Sequence, residues 1–245
     1  QTQPAPAERA PAPAPVVLEL YTSEGCDSCP PADALLTEFA RQSPVGEAQV
    51  IPLAFHVDYW NHLGWKDRFS TAEFSERQRD YARHFGSGNA YTPQLVVDGS
   101  AEFVGSDRRR ARAALSQAAA APKAAVQLDV ASVPESNRFL VRVAAANVSV
   151  PENEKDAVQV LVFVTEDNLQ TSVPSGENAG RTLHHSAVVR GMYPMGAVAR
   201  GAAYTDEIEI AAQPGWNPRE LNFVVILQER LGRRIVGAAA VPVPE

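Results

Sequence analysis

At Pro122 the sequence changes periodicity, and that change most narrows what the chain can fold into. Before it, strand-like and helix-like stretches alternate. Residues 16–21 (VVLELY) form an apolar β-run, and Ala32, Leu35, Leu36, Phe39 and Ala40 then fall on one helical stripe. Residues 49–56 read as a second strand, although Pro52 is awkward inside a sheet and marks a bulge or an edge. An aromatic-rich loop at 57–69 leads to Ser70 and Glu73 at capping-box spacing, opening a helix through Phe85 that Gly86 stops. Runs at 95–97 and 102–104 flank Asp98-Gly99, a strong hairpin signal, and Ser106 or Asp107 caps a helix running through Ala121. The predicted order over 16–122 is β-α-β-α-β-β-α, an α/β layer pattern. Beyond Lys123 the β-rich runs fall at 126–133, 138–148, 157–165, 183–190, 204–211, 221–228 and 235–241, with turn signals between them and no amphipathic helix. About seven short strands in roughly 120 residues predict an antiparallel, sandwich-like all-β domain over 123–245.

Residues 1–15 stand apart. Ten of these fifteen are Pro or Ala, so they cannot bury a core and are expected to form an extended tether. Such a tether suits an exported protein whose leader has been removed, so a periplasmic or secreted location is expected. The 245 residues are 45% hydrophobic with a net charge of −7, an ordinary globular balance that argues against nucleic acid as the main partner. No apolar run approaches the roughly 20 residues of a membrane-spanning helix.

The only cysteines are Cys26 and Cys29. Two are too few for a disulfide framework or a four-cysteine zinc site, which leaves redox chemistry or metal binding. Gly25-Cys26-Asp27-Ser28-Cys29-Pro30 lies between the first strand and the first helix. Unpaired N–H groups and partial positive charge at a helix start stabilise a thiolate. Cys26 is expected to be the more exposed, attacking sulfur, and Cys29, one turn along, to resolve the mixed disulfide. Asp27 opposes thiolate formation, so the direction of the net shift stays open.

The strand before the pair, the helix after it, and Thr92-Pro93 ahead of the strand 94–98 together resemble the thioredoxin superfamily. That resemblance implies a cis Thr92–Pro93 bond beside the cysteines, with backbone groups free to hold a substrate strand. The segments VVLELYTSEGCDSCPPADALL, FHVDYWNHLGWKD and YTPQLVVDG, continued by GENAGRTLHHSAVVRGM and IVGAAAVPV, are similar to domain of unknown function 1223. This is an uncharacterised bacterial family of predicted secreted, thioredoxin-like proteins. The likeness implies a thioredoxin-like α/β domain and export; it supplies no substrate. With one extra residue in the loop, Glu19 falls where thioredoxins carry a buried acid, so it is a candidate to exchange a proton with Cys29. The alternative is a solvent-facing strand glutamate.

Other residues weigh less. Tyr59, Trp60 and Trp65 are candidates for an apolar rim around a peptide, or simply cover core. His56 is a candidate acid/base or metal ligand, or makes a local hydrogen bond. Arg108, Arg109, Arg110 and Arg112 read as a solvated helix face more readily than an anion site. His184-His185 with Met192 and Met195 carry copper-type ligands, but adjacent strand residues point to opposite faces. No phosphate-cradling loop, H-E-x-x-H or G-x-S-x-G motif occurs. The expectation is a cell-envelope thiol–disulfide oxidoreductase acting on protein thiols through Cys26 and Cys29, with Pro93 and Thr92 holding the partner, an unidentified redox partner protein, and no organic cofactor. The alternative is a copper carrier using Cys26, Cys29 and His56 or His84. A purely structural disulfide is a third reading.

Overall fold

The computed structural model describes residues 13–152 and 158–244. Most of the expected tether, residues 1–12, lies outside the described residues; Ala14 and Pro15 do not belong to it but begin the first strand.

The first half follows the expected order. It runs β1 (Ala14–Thr22), α1 (Pro30–Arg41), β2 (Ala48–His56), α2 (Ala72–Phe85), β3 (Gln94–Val97), β4 (Ala101–Val104) and α3 (Arg108–Ala119). Helix α2 is capped by Thr71, not Ser70: the Thr71 hydroxyl accepts from Phe74 N at 3.2 Å, while Ser70 Oγ donates to Asp67 O. Asp107 caps α3 by accepting from Arg110 N at 3.0 Å. Asp98 and Gly99 both take left-handed conformations, φ 48° and 63°, as a tight two-residue turn requires. That turn is locked by β1 on one side and by residues after β4 on the other. Asp98 Oδ1 accepts from Val17 N, Asp98 O accepts from Ile235 N, and Asp98 pairs with Lys123. A side chain at Gly99 would collide with the Arg233 carbonyl.

The second half adds β5 (Ala125–Val133), β6 (Arg138–Ala146), β7 (Val158–Glu166), β8 (Leu169–Val173), β9 (Arg181–His185), β10 (Val188–Val198), β11 (Tyr204–Ala211), β12 (Leu221–Glu229) and β13 (Ile235–Pro242). Here the expected architecture fails. A thioredoxin-like α/β domain followed by a separate all-β sandwich does not form. Instead, a single mixed sheet of eight strands runs β13-β12-β7-β10-β2-β1-β3-β4, drawing four strands from each half. The seam is narrow: β10 meets β2 at Val188–Ala54, and Ala54 N donates to Ala187 O at 2.8 Å. Strands β5, β6 and β11 form a separate three-stranded sheet.

The physical reason lies in burial. Strands β7 and β12 are buried at nearly every position, the pattern of central strands covered on both faces. One face meets the three-stranded sheet, where Val162, Val164, Phe223 and Val225 pack on Phe139, Val141 and Val143. The other face contributes Phe163, Val224 and Ile226 to the core that α2 shares with Val17, Tyr21, Ile51 and Phe55. Helices α1 and α3 cover the opposite face of β1 through Leu35, Leu36, Phe39, Ala111 and Leu115. Because the α2 core is built from both halves, neither half can be removed without opening it.

Two local expectations change. The run 183–190 is not one strand, because Ala187 turns left-handed (φ 54°) between β9 and β10. Pro52 sits in an interior strand without a bulge. Its nitrogen faces the same side as Ala54 N, but β10 begins only opposite Ala54, so no partner strand lacks a donor there.

Candidate redox site

Cys26 and Cys29 are joined in a disulfide, with Cα atoms 5.4 Å apart. The loop winds directly into α1. Cys26 N donates to Ser23 O, Cys29 N to Cys26 O, and the N–H groups of Ala32 and Asp33 both donate to Cys29 O. Cys29 is the N-cap of α1, and prolines in the first turn suit positions whose N–H groups have no helical partner.

Cys26 is not the exposed sulfur expected: both cysteines are fully buried. The second half of the chain accounts for the closure. Residues 174–180, between β8 and β9, fold across the cysteine loop. Asn178, itself buried, donates through Nδ2 to Glu24 O and to Cys26 O, each at 2.9 Å, and Asp27 N donates to Glu177 Oε2 at 3.2 Å. Arg181 holds the other end of the Asn178 amide at 2.9 Å. The same segment is tied to the aromatic loop: Ser175 Oγ donates to Gly64 O at 2.6 Å, and Gly176 lies against Trp65.

The Thr92–Pro93 peptide is cis. A side chain at Gly105 would meet Leu20, Ala32 and Pro93, so the proline lies beside the first turn of α1. Trp60 spans the gap, its Nε1 donating to Thr92 Oγ1 at 2.8 Å and its Cβ lying against Gly25. Trp65 Nε1 donates to Glu24 Oε2 at 2.8 Å, and Tyr59 OH donates to Gln78 Oε1 at 3.1 Å. Burial pushes the Tyr59 phenol up to about 12. All three rings are thus partly buried and bonded into the site wall, leaving Leu63 as the large apolar side chain exposed on this loop.

Glu19 is fully buried, but the structure does not bring it to the cysteines. It shares the Val17 and Tyr21 face of β1, turned toward α2, whereas α1 packs on the Leu18 and Leu20 face. There it accepts from Arg77 at 2.7 and 3.0 Å, Tyr81 OH at 2.5 Å and Tyr21 OH at 3.2 Å. Burial alone would lower the Arg77 guanidinium, but Glu19 holds it firmly charged.

In place of Glu19, a different set of titratable groups gathers behind the cysteine loop. His56, from the end of β2, bonds through Nδ1 to Asp67 Oδ2 at 2.6 Å, and Asp67 Oδ2 also accepts from Glu24 N at 2.9 Å. His185, from β9, places Nε2 3.3 Å from Glu24 Oε1, and the two imidazole centroids lie 4.9 Å apart. Asp33, on the first turn of α1, lies where both histidines and Asp67 act on its carboxyl. Burial alone would lower His56, but Asp67, Asp33 and Glu24 together raise it. Burial would raise Glu24 and Asp67; His185 on the former and His56 on the latter hold both below the usual carboxylate range. Burial raises Asp33. Thr22 Oγ1, His56 Nε2 and Thr171 Oγ1 are buried without a hydrogen-bond partner, while Glu24 Oε1 and His185 Nε2 have only their contact with each other.

The remaining candidates scatter. Cys26 and Cys29 are bonded to each other and His56 is tied to Asp67, so these residues do not present a three-atom metal set. Among the described residues, no three His, Cys, Asp or Glu side chains converge as metal ligands would. His84 is exposed at the end of α2. His184 is exposed while His185 is buried, and Met192 and Met195 pack in different cores. Arg108 pairs with Glu38 on the surface. Sequence reasoning missed Glu24, Asp33, Asp67 and Asn178. The adjacency of Glu24 to the cysteine loop and the four-residue spacing of Asp33 from Cys29 were the available signals.

Fold and site together define a protein in which a disulfide at a helix start is enclosed by a mixed sheet, an aromatic loop and a cross-chain strap. The chain belongs to the family described as protein of unknown function (DUF1223), whose profile matches residues 17–228. Among solved structures, the X-ray crystal structure of protein AGR_C_4864 from Agrobacterium tumefaciens is similar at 25% identity and TM-score 0.71, covering 96% of this chain and 97% of that one. HBP35 of Porphyromonas gingivalis is similar in fold at 14% identity and TM-score 0.65, covering 95% of this chain and 76% of that one. No curated protein matches.

Proposed function

We propose that this chain is a thiol–disulfide oxidoreductase of the bacterial cell envelope that exchanges electrons with protein thiols through Cys26 and Cys29. The observation that carries the reading is the disulfide's position at the start of α1, between residues only three apart. A ring that small constrains the unfolded chain by about 2 kcal/mol in the loop-entropy treatment, the low end for a disulfide. Structural bracing is therefore a weak reason to spend both cysteines there. The helix start favours a thiolate when the bond opens. The cis Thr92–Pro93 peptide beside the first turn of α1, with Trp60 bonded to Thr92, supports the reading. A disulfide also fits an oxidising compartment better than the cytosol.

The test is equilibration in glutathione buffers, with thiol alkylation and intact mass reporting Cys26 and Cys29. A reversible two-electron transition between about −270 and −120 mV supports the assignment. A pair that will not cycle, yet is shielded from alkylation by stoichiometric Cu(I), overturns it in favour of a copper carrier.

A further inference from the structure

Cys29 is fully buried in the closed site, so bulk water does not touch its sulfur there. The groups that surround this region are Glu24 from the cysteine loop, Asp33 from α1, His56 from β2, Asp67 from the aromatic loop and His185 from β9. Glu24 and Asp67 are held as carboxylates, by His185 and by His56, and have no proton to give. Asp33 differs. It stands one helical turn beyond Cys29, on the same face of α1, with its own N–H donating to Cys29 O at 3.1 Å. Behind it, His56 Nε2 is buried without a hydrogen-bond partner, and His185 Nε2 stands 3.3 Å from Glu24 Oε1.

We propose that Asp33 is the general acid and base for the Cys29 sulfur, with His56 and His185 setting its charge. The inference rests on the exchange reading above. A partner thiolate attacks Cys26 Sγ; the intermolecular S–S bond forms, and the Cys26–Cys29 bond breaks with its electron pair on Cys29. The Asp33 carboxyl gives its proton to that sulfur and becomes a carboxylate. The partner's second thiolate then attacks its own sulfur in the mixed disulfide and releases Cys26 as a thiolate. The partner leaves oxidised by two electrons, and the chain is reduced by the same two. In the reverse direction the Asp33 carboxylate takes the Cys29 proton.

The experiment measures reduction of the full chain by dithiothreitol from about pH 5 to 9, each rate divided by the thiolate concentration. Wild type is expected to react fastest at low pH and to slow as Asp33 ionises. Asp33→Asn is expected to be at least tenfold slower at low pH, with a flat profile. Asp33→Glu is expected to restore the bend. Should Asp33→Asn not fold, His185→Gln serves instead: losing the imidazole that lowers the Asp33 carboxyl is expected to move the bend to higher pH. An Asp33→Asn profile that matches wild type, or a bend that ignores His185→Gln, overturns this inference while leaving the exchange reading intact. A wild-type disulfide that no thiol reduces reversibly overturns the exchange reading itself.

Discussion

Removing the Asn178 side chain should open the disulfide to attack. In the closed site, this amide donates to two buried carbonyls, Glu24 O and Cys26 O, both at 2.9 Å. A net hydrogen bond contributes about 0.5–1.5 kcal/mol, so losing two costs the closed strap about 1–3 kcal/mol. With opening rare and reversible, that raises the open population roughly 5- to 150-fold. A small thiol reaches Cys26 only when the strap is open, so the dithiothreitol rate constant of Asn178→Ala should rise by the same factor. Ser175→Ala removes an exposed bond to Gly64 O at the strap's outer end and should raise the rate no more than about fivefold. Stopped mixing with alkylation and mass analysis reports the rate, and near-UV circular dichroism reports the fold. An Asn178→Ala protein that stays folded and reacts no faster than wild type would refute the idea that this segment controls access.

Three further outcomes follow from the packing. Glu19→Gln leaves Arg77 buried without its counter-charge, which costs about 3–5 kcal/mol and should lower Tm by roughly 6–20 °C in calorimetry. Because Glu19 faces α2, the pH profile of thiol reduction should not change; a changed profile would return it to the redox site. The His56–Asp67 pair imposes a pH window. His56 is raised by Asp67 against the effect of burial, so its contribution is full below about pH 6.5 and is lost as pH climbs through its folded value. Asp67 is lowered against burial by His56, so its contribution is full above about pH 3.9 and is lost as pH falls through its folded value. Urea melts of Asp67→Asn should therefore show a larger deficit near about pH 5.5 than near about pH 9, and equal deficits would contradict the pairing. Phe163→Ala opens the core that both halves share and should cost about 3–5 kcal/mol. It should still melt in a single calorimetric transition; two separate transitions would show that the halves are independent after all.

Much of the local structure was legible without coordinates. The stripe of Ala32, Leu35, Leu36 and Phe39 is the buried face of α1, because helical periodicity needs only neighbours to declare itself. Asp98-Gly99 makes its turn because the two left-handed residues are the ones that tolerate that conformation. The pair Cys26 and Cys29 at a helix start, and a cis bond at Pro93, were readable from local motif and resemblance. The near-continuous apolar runs of β7 and β12 also carried a warning against a half-solvated sandwich, since strands that bury both faces lose the alternation of a sandwich.

What the sequence could not settle was who pairs with whom. The junction of the two halves rests on Ala54 meeting Val188, and the closure of the disulfide rests on an Asn178 amide 152 positions from Cys26. Neither residue has a local pattern that marks it, because such contacts are chosen by the free energy of the whole sheet. Glu19 was placed on the wrong face for the same reason. Period-two alternation says which residues of a strand share a side, but only the packing of α1 and α2 decides which side holds the cysteines. Thus the sequence by itself determined most of the elements and the cysteine pair at a helix start. The tertiary structure decided that one sheet joins both halves, that the pair is roofed by the later half, and that Asp33, His56 and His185, not Glu19, stand behind it.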